Sequence, residues 1–248
     1  MLENVASMPQ EARDEISAAL GVQPIMIDAA LVSAQIRRRL FWTNIPGVCQ
    51  PWDRGILLAH VVEDKRAIAL TERRSEEAKR IRREHMLKTG KDFTPRRARE
   101  FITRLDGKAN TITTRITRES YILIADSVPR SLFKRLPDGR LVVKEATKAG
   151  FALVQEGDSI DVSFPNSATR RGRVGKKAKN LMTSSHICVF QGGVIRPLTP
   201  VECERLQSLP DGYTEGLSAP QRIYTLGNAF NVEVVRHILS HIPTSVIK

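Results

Sequence analysis

Hydrophobic positions recur with two different periods in the first fifty residues. Ala12, Ile16, Ala19 and Leu20 lie three or four apart, so Gln10 to Leu20 reads as a helix that follows Pro9 and stops at Gly21. Pro24-Ile25-Met26-Ile27-Asp28 is instead a nearly continuous apolar run, the pattern of a strand buried on both faces. Ala29 to Ser33 leads into a second strand, Arg37 to Thr43, which ends at Asn44-Ile45-Pro46-Gly47. The link between these strands is short enough to predict that they pair as a hairpin. Leu2 to Val5 reads as the end of a further strand running into a loop. Helix, strand and strand in this order predict an α/β arrangement.

The pattern changes beyond Gly47. From about Glu63 to Thr89 apolar residues are sparse and charge is dense, which predicts a charged helix packing one narrow stripe. Gly90 and Pro95 mark a break before a second short helix near Arg96 to Arg104. Between Gly107 and Gly193 short β-prone runs follow one another, at Thr111 to Thr114, Tyr121 to Ile124, Leu141 to Val143, Ile160 to Phe164 and Ile187 to Phe190. Turns containing Gly and Pro separate them, so the expectation is a small β-rich module with its own core. Helix returns after Leu198, where Thr199 can cap Pro200 to Gln207 with proline in the first turn. A last helix is expected from Asn231 to His241, with Val232, Val235, Ile238 and Leu239 on one face.

Composition adds a class of partner. Of the 248 residues 41% are hydrophobic, enough for a core, and 27% are charged, as in soluble proteins. The net charge is +12, which favours a polyanion, because each Lys or Arg near a phosphate releases condensed counterions. Residues 65–99 concentrate this, with thirteen Lys and Arg against five Asp and Glu. No apolar run approaches the ~18 residues needed to span a bilayer, and no signal core follows the N-terminus, so no membrane partner is expected. Cys49, Cys188 and Cys203 show no paired spacing. They predict neither disulfides nor a metal site and fit a reducing cytoplasm.

Candidate chemistry sits in a few short segments. Period-two alternation puts Gln35, Arg37 and Arg39 on one side of a strand, where two guanidiniums could hold phosphate or a base carbonyl. A solvated basic edge strand is the plain alternative. Arg170-Arg171-Gly172-Arg173-Val174-Gly175-Lys176-Lys177 reads as a basic, glycine-flexed loop able to approach a DNA backbone. Gly227-Asn228-Ala229-Phe230-Asn231-Val232 reads as a loop of small residues opening a helix, with backbone N–H groups free for an anion. Asn231 as an ordinary helix cap explains the same residues more simply.

Taken together and in order, several segments resemble the motifs of cytosine-5 DNA methyltransferases. These are Glu3-Asn4-Val5, Gln35-Ile36-Arg37-Arg38-Arg39, the block from Arg196-Pro197-Leu198-Thr199 through Arg205-Leu206-Gln207 to Asp211-Gly212-Tyr213, and Gly227 to Val232. The flanks at 24–29 and 40–47 are similar to the animal de novo methyltransferases and their phage relatives. Gly107 to Arg115 and residues 157–177 resemble recognition-region segments.

The resemblance implies an α/β fold: the C-terminal part of a Rossmann-like methyltransferase sheet, plus an inserted small β-rich target-recognition domain with a basic helical insertion. The expected division is residues 1–48, a partial catalytic domain; 49–195, the insertion and recognition domain; and 196–248, the returning segment. It implies catalytic roles for Glu3, Asn4, Arg37 and Arg39, with Glu3 contacting an extruded cytosine at N3 and the exocyclic amine. S-adenosylmethionine is the implied methyl donor, with Asn228, Ala229 and Phe230 completing its site. Double-stranded DNA is the implied substrate, contacted by Gln35, Thr113, Arg171, Arg173 and Lys176.

A Gly-rich donor loop and a Pro-Cys nucleophile precede the Glu-Asn-Val tripeptide in that family and do not occur in this sequence. Cys49-Gln50-Pro51 lies in the wrong order to replace the latter. The chain is therefore expected to methylate DNA only with an N-terminal methyltransferase chain. A truncated product and a catalytically inactive DNA-binding protein remain as alternatives.

Overall fold

In the computed structural model the described residues are 1–63, 70–74, 76–91, 99–103, 123–125, 127–137, 140–183 and 186–243. They fall into two compact units, Met1–Asp64 with Ile122–Lys248, and Lys65–Tyr121. The first unit opens with β1 (Leu2–Val5), α1 (Gln10–Leu20), β2 (Ile25–Asp28) and β3 (Arg38–Trp42). The second holds β4 (Leu70–Arg74), α2 (Glu76–Thr89) and β5 (Arg99–Thr103). The first then resumes with β6 (Leu123–Ile124), β7 (Phe133–Arg135), β8 (Leu141–Lys144), β9 (Phe151–Leu153), β10 (Ser159–Asp161), β11 (Arg173–Gly175), β12 (Ile187–Gln191) and β13 (Val194–Pro197). Three helices close it: α3 (Pro200–Leu206), α4 (Ala219–Asn228) and α5 (Val232–Leu239). The architecture is mixed α/β with several small, mainly antiparallel sheets.

The expected hairpin of β2 and β3 forms, with Ile25 opposite Phe41 and Ile27 opposite Arg39. β1 joins the other edge of β3 to give the order β1-β3-β2. Ile27 and Phe41 pack beneath Val234 and Ile238 of α5. The inward face of that helix therefore includes Val234, and Leu239, expected inside, is 46% exposed. α1 has the expected bounds, but its one buried residue is Ser17. The reason is polar: the buried indole Nε1 of Trp42 needs an acceptor and donates to Ser17 Oγ at 2.9 Å.

The β-rich region has its own core, as expected. Val128, Leu132, Leu141, Val143, Ile160, Val162, Cys188 and Ile195 form one buried cluster. They belong largely to two sheets, β11-β10-β12-β13-β6 and β7-β8-β9, in which only the β13–β6 pairing is parallel. A second cluster joins Leu181, Ile187, Val189 and Leu198 to Cys203, Leu206 and Leu226 of the closing helices. Backbone hydrogen bonds also stitch residues 176–178 to the start of the chain. Leu58 N donates to Lys176 O, Ile36 N to Ala178 O, and Ala178 N to Ala34 O, each at 2.8 Å.

The second unit corrects two expectations. The charged helix begins at Glu76, with strand β4 before it, and the helix expected near Arg96 to Arg104 is replaced by strand β5. β4 and β5 pair antiparallel from Leu70 opposite Thr103 to Arg74 opposite Arg99. Charge density carries no period of its own, so it could not distinguish a basic helix from a basic strand. Backbone pairing decides between them. The run expected at Thr111 to Thr114 lies outside the described residues.

Candidate active site

β1 and β3 bring Glu3 and Arg39 to one face, and Arg37, one residue before β3, joins them there. Glu3 lies opposite Phe41 and Val5 opposite Arg39. The Glu3 carboxylate therefore reaches Arg39 diagonally, with Oε1 3.4 Å from Nε. Glu3, Arg37 and Arg39 line one narrow crevice of about 10 Å³ with Ile27, Ala29, Phe41, Asn231 and Val234, a cleft too tight to enclose a base, so a ring could meet Glu3 only at its mouth. Burial pushes the Glu3 carboxyl above its ordinary value, and Arg37 and Arg39 oppose that shift. Burial also pushes the Arg37 guanidinium down to about 10, so it remains a cation at neutral pH. Arg39 is lowered by burial and raised again by Glu3. A carboxyl that takes up a proton more readily than usual, flanked by two cations, suits a ring that gains negative charge. Asn4 turns its side chain to its own backbone, accepting from Val5 N at 2.8 Å.

Arg37 is only 5% exposed, and both of its terminal nitrogens donate inside the protein, while its buried Nε has no hydrogen-bond partner among the described residues. Nη1 donates to Asn180 Oδ1 at 2.8 Å and Nη2 to Ala229 O at 2.7 Å, with a longer contact from Nη1 to Gly227 O. The residue expected to hold phosphate or base thus clamps the Gly227–Val232 segment against β3. Gln207 grips the same segment from α3, with Nε2 donating to Leu226 O at 2.7 Å. Asn231 caps α5 through Val234 N and donates to Leu206 O.

The Gly227–Val232 segment itself differs from the sequence reading. Gly227 and Asn228 end helix α4, an element the sequence reading did not expect, and do not form a loop. Two of the amides expected to receive an anion are engaged within the protein, Ala229 N with Leu226 O and Val232 N with Gln207 O. What remains accessible is side chain: Asn228 is exposed, and Phe230 is half exposed. Gly227 is required by packing. A Cβ there would lie 2.5 Å from the Met182 and Thr183 backbone, so the helix end approaches that segment more closely than any other residue permits.

The long closing block is a set of buried ionic locks. Glu202 is fully buried and accepts from Arg196, from Thr199 N in a reciprocal capping box, and from Glu63 N. Glu204 is also fully buried; it pairs with Arg222 at 2.7 Å and accepts from Gly212 N and Thr214 N. Burial would raise the Glu204 carboxyl, but the hydrogen bonds from Thr214, Arg222 and Gly212 outweigh it and hold it below its ordinary value. Between these carboxylates Cys203 is a buried thiol pushed up to about 12 by desolvation and then by its acidic neighbours. Burial likewise pushes Cys188 up to about 12. Neither thiol can serve as a nucleophile at neutral pH.

The expected basic loop is ordered. Arg173–Gly175 pairs as β11 with β10. At Gly172, with φ 55°, a Cβ would lie 2.1 Å from Lys144 O, so the chain passes where only glycine fits. Lys176 pairs with Asp158 at 2.7 Å, Arg173 donates to Gly172 O, and Arg170 lies over the Phe164 ring at 4.4 Å. Arg171 is half buried. Gln35 is fully buried, and among the described residues neither end of its amide has a hydrogen-bond partner. Thr113 lies outside the described residues.

A groove of about 450 Å³ is lined by Arg38, Arg173, Lys176, Lys177 and Lys179 with Asp28 and Asp53. A neighbouring hollow of about 480 Å³ shares Ile36, Arg38 and Lys179. The sequence reading missed Arg38 and Lys179. Arg38 points away from the crevice by the alternation that turns Arg37 and Arg39 into it, and its exposure was the available signal.

The sequence profile of the C-5 cytosine-specific DNA methylases matches residues 33–244. The chain belongs to that family. It is 28% identical over 126 residues to the type II methyltransferase M.Sau3AI of Staphylococcus aureus, a match that covers 48% of this chain and 28% of that protein. The chain thus corresponds to a minor part of its relative's length. Among the described residues no helix is long and apolar enough to cross a membrane.

Proposed function

We propose that this chain is the C-terminal, target-recognition part of a cytosine-5 DNA methyltransferase of phage or prophage type. It acts with an N-terminal chain that brings the nucleophilic cysteine and most of the donor site. The observation that carries this reading is the crevice in which β1 and β3 hold a proton-accepting Glu3 beside Arg37 and Arg39. Glu3 steadies the cytosine ring at N3 and Arg39 balances the charge that builds during attack. Arg37 is a positioning residue, fixing Ala229 and hence the donor-side segment. The parallel with M.Sau3AI, a type II methyltransferase, supports modification of duplex DNA.

When bound, S-adenosylmethionine supplies the methyl group. The exposed Asn228 amide and the open face of Phe230 fit a polar ligand carrying an aromatic base, and they complete a site whose remainder belongs to the partner. The order β1-β3-β2 leaves β1 at a sheet edge, with Met1, Leu2 and Val5 exposed by 58%, 40% and 41%. Such an edge accepts further strands, and we assign it to the N-terminal chain. In this reading residues 1–48 and the returning segment 196–248 belong to a Rossmann-like catalytic domain, and residues 49–195 form the inserted recognition region. Arg38, Arg173, Lys176 and Lys179 line the DNA-facing groove.

The test mixes the purified chain with an N-terminal chain carrying the donor loop and Pro-Cys, labelled donor and duplex DNA. Transfer is expected from the mixture and from neither chain alone. Salt-sensitive DNA binding without transfer from the mixture would replace this reading with that of a DNA-binding protein.

A further inference from the structure

A cluster unrelated to the crevice forms where the turn after β3 meets α5. Cys49 Sγ and one ring nitrogen each from His237 and His241 lie within 4.8 Å of one another. We propose that these three side chains bind a zinc-like divalent transition-metal ion that staples α5 to the Cys49 turn.

The ligand chemistry restricts the ion. One thiolate and two imidazoles suit zinc and its late first-row neighbours and exclude calcium and magnesium, which take oxygen ligands. His237 lies in the last turn of α5 and His241 in the turn just beyond it, and their rings meet edge to face with centroids 4.8 Å apart. The ring tautomers are already set for ligation. His237 Nε2 donates to Cys49 O at 2.8 Å and His241 Nδ1 donates to His237 O at 2.9 Å. Each ring thus spends one N–H on a backbone carbonyl, which leaves its other nitrogen, His237 Nδ1 and His241 Nε2, as the one that ligation would use.

Tetrahedral coordination at metal–ligand distances of about 2.0–2.3 Å brings ligand atoms to roughly 3.3–3.6 Å of one another. The cluster must therefore close by about an ångström, which rotation of the exposed Cys49 side chain allows. Three protein ligands leave a fourth position for water or another ligand. Sequence spacing could not reveal the site, because Cys49 and the histidines are brought together only by the packing of α5 on the β1-β3-β2 sheet, with Ile45 and Val48 against it.

The full chain, reduced without thiols or chelators, is titrated with Co²⁺ and then challenged with Zn²⁺. The expected result is one equivalent bound with the visible bands of tetrahedral cobalt and a thiolate-to-metal band in the near ultraviolet, both lost when zinc is added. Cys49→Ser is expected to remove the thiolate band, and His237→Gln or His241→Gln to weaken binding at least tenfold. Because Cys49 is exposed, Cys49→Ser keeps the fold, checked by an unchanged circular dichroism spectrum. Octahedral cobalt, or a thiolate band that persists in Cys49→Ser, would overturn the site, the second by tracing the signal to Cys188 or Cys203.

Discussion

At Glu3 the sheet places a carboxyl where burial outweighs two neighbouring cations. Its proton is held more tightly in the folded chain than in the unfolded one. Glu3 therefore contributes stability that is fully present below its ordinary 4.5 and is lost as pH rises through the higher folded value. Glu3→Gln removes this dependence. As pH rises from 4 to 7, denaturation midpoints should shift relative to wild type in favour of the variant, and midpoints that move in parallel would contradict the assignment. In the assembled enzyme the same substitution should reduce transfer more than DNA affinity. Arg37 calls for a different outcome. Arg37→Ala leaves Asn180 Oδ1 without its Arg37 donor and Ala229 O with only the long contact from Gln207, and should cost roughly 2 kcal/mol or more, read from urea denaturation. Arg37→Lys should restore little, because one ammonium cannot span the acceptors that the guanidinium fork reaches.

Among the elements, the closing helices are held by packing and buried charge. Gly227→Ala pushes a methyl group into the backbone at Met182 and Thr183 and should destabilise the chain by about 1–3 kcal/mol, measured as a lowered midpoint in denaturant. Glu204→Ala strands Arg222 and two backbone amides in the interior and should cost about 3 kcal/mol or more. Much of this layer was legible beforehand. The bounds of α1, the β2–β3 hairpin and the Thr199 cap follow from local periodicity and capping chemistry, which the structure keeps. The second unit was less legible, since its basic residues mark solvent exposure without marking a period. Helix α4 was missed because its Gly227-Asn228 end resembles a loop in composition. The positioning role of Arg37 could not be read either, since its partners Asn180 and Ala229 are far along the chain.

At the scale of the whole molecule, the charge of +12 is expressed in the first unit as a groove around Arg38 and Lys179. DNA affinity should fall steeply with salt. Arg38→Ala and Lys179→Ala should each flatten the log–log slope by roughly one, as expected when a phosphate contact is lost. Unchanged slopes would place the duplex elsewhere. The stitching of residues 176–178 to residues 34–36 and 58 has a mechanical consequence. The segment after β11 that carries Lys176 and Lys179 is bonded to the backbone that leads into Arg37, and Asn180, the next residue, holds the Arg37 guanidinium. In the proposed complex the groove is therefore joined to the segment at Ala229 by a short path of hydrogen bonds through Ala178, Asn180 and Arg37. Cutting that linkage with Asn180→Ala should leave grip on the duplex intact while loosening the timing between grip and methyl transfer.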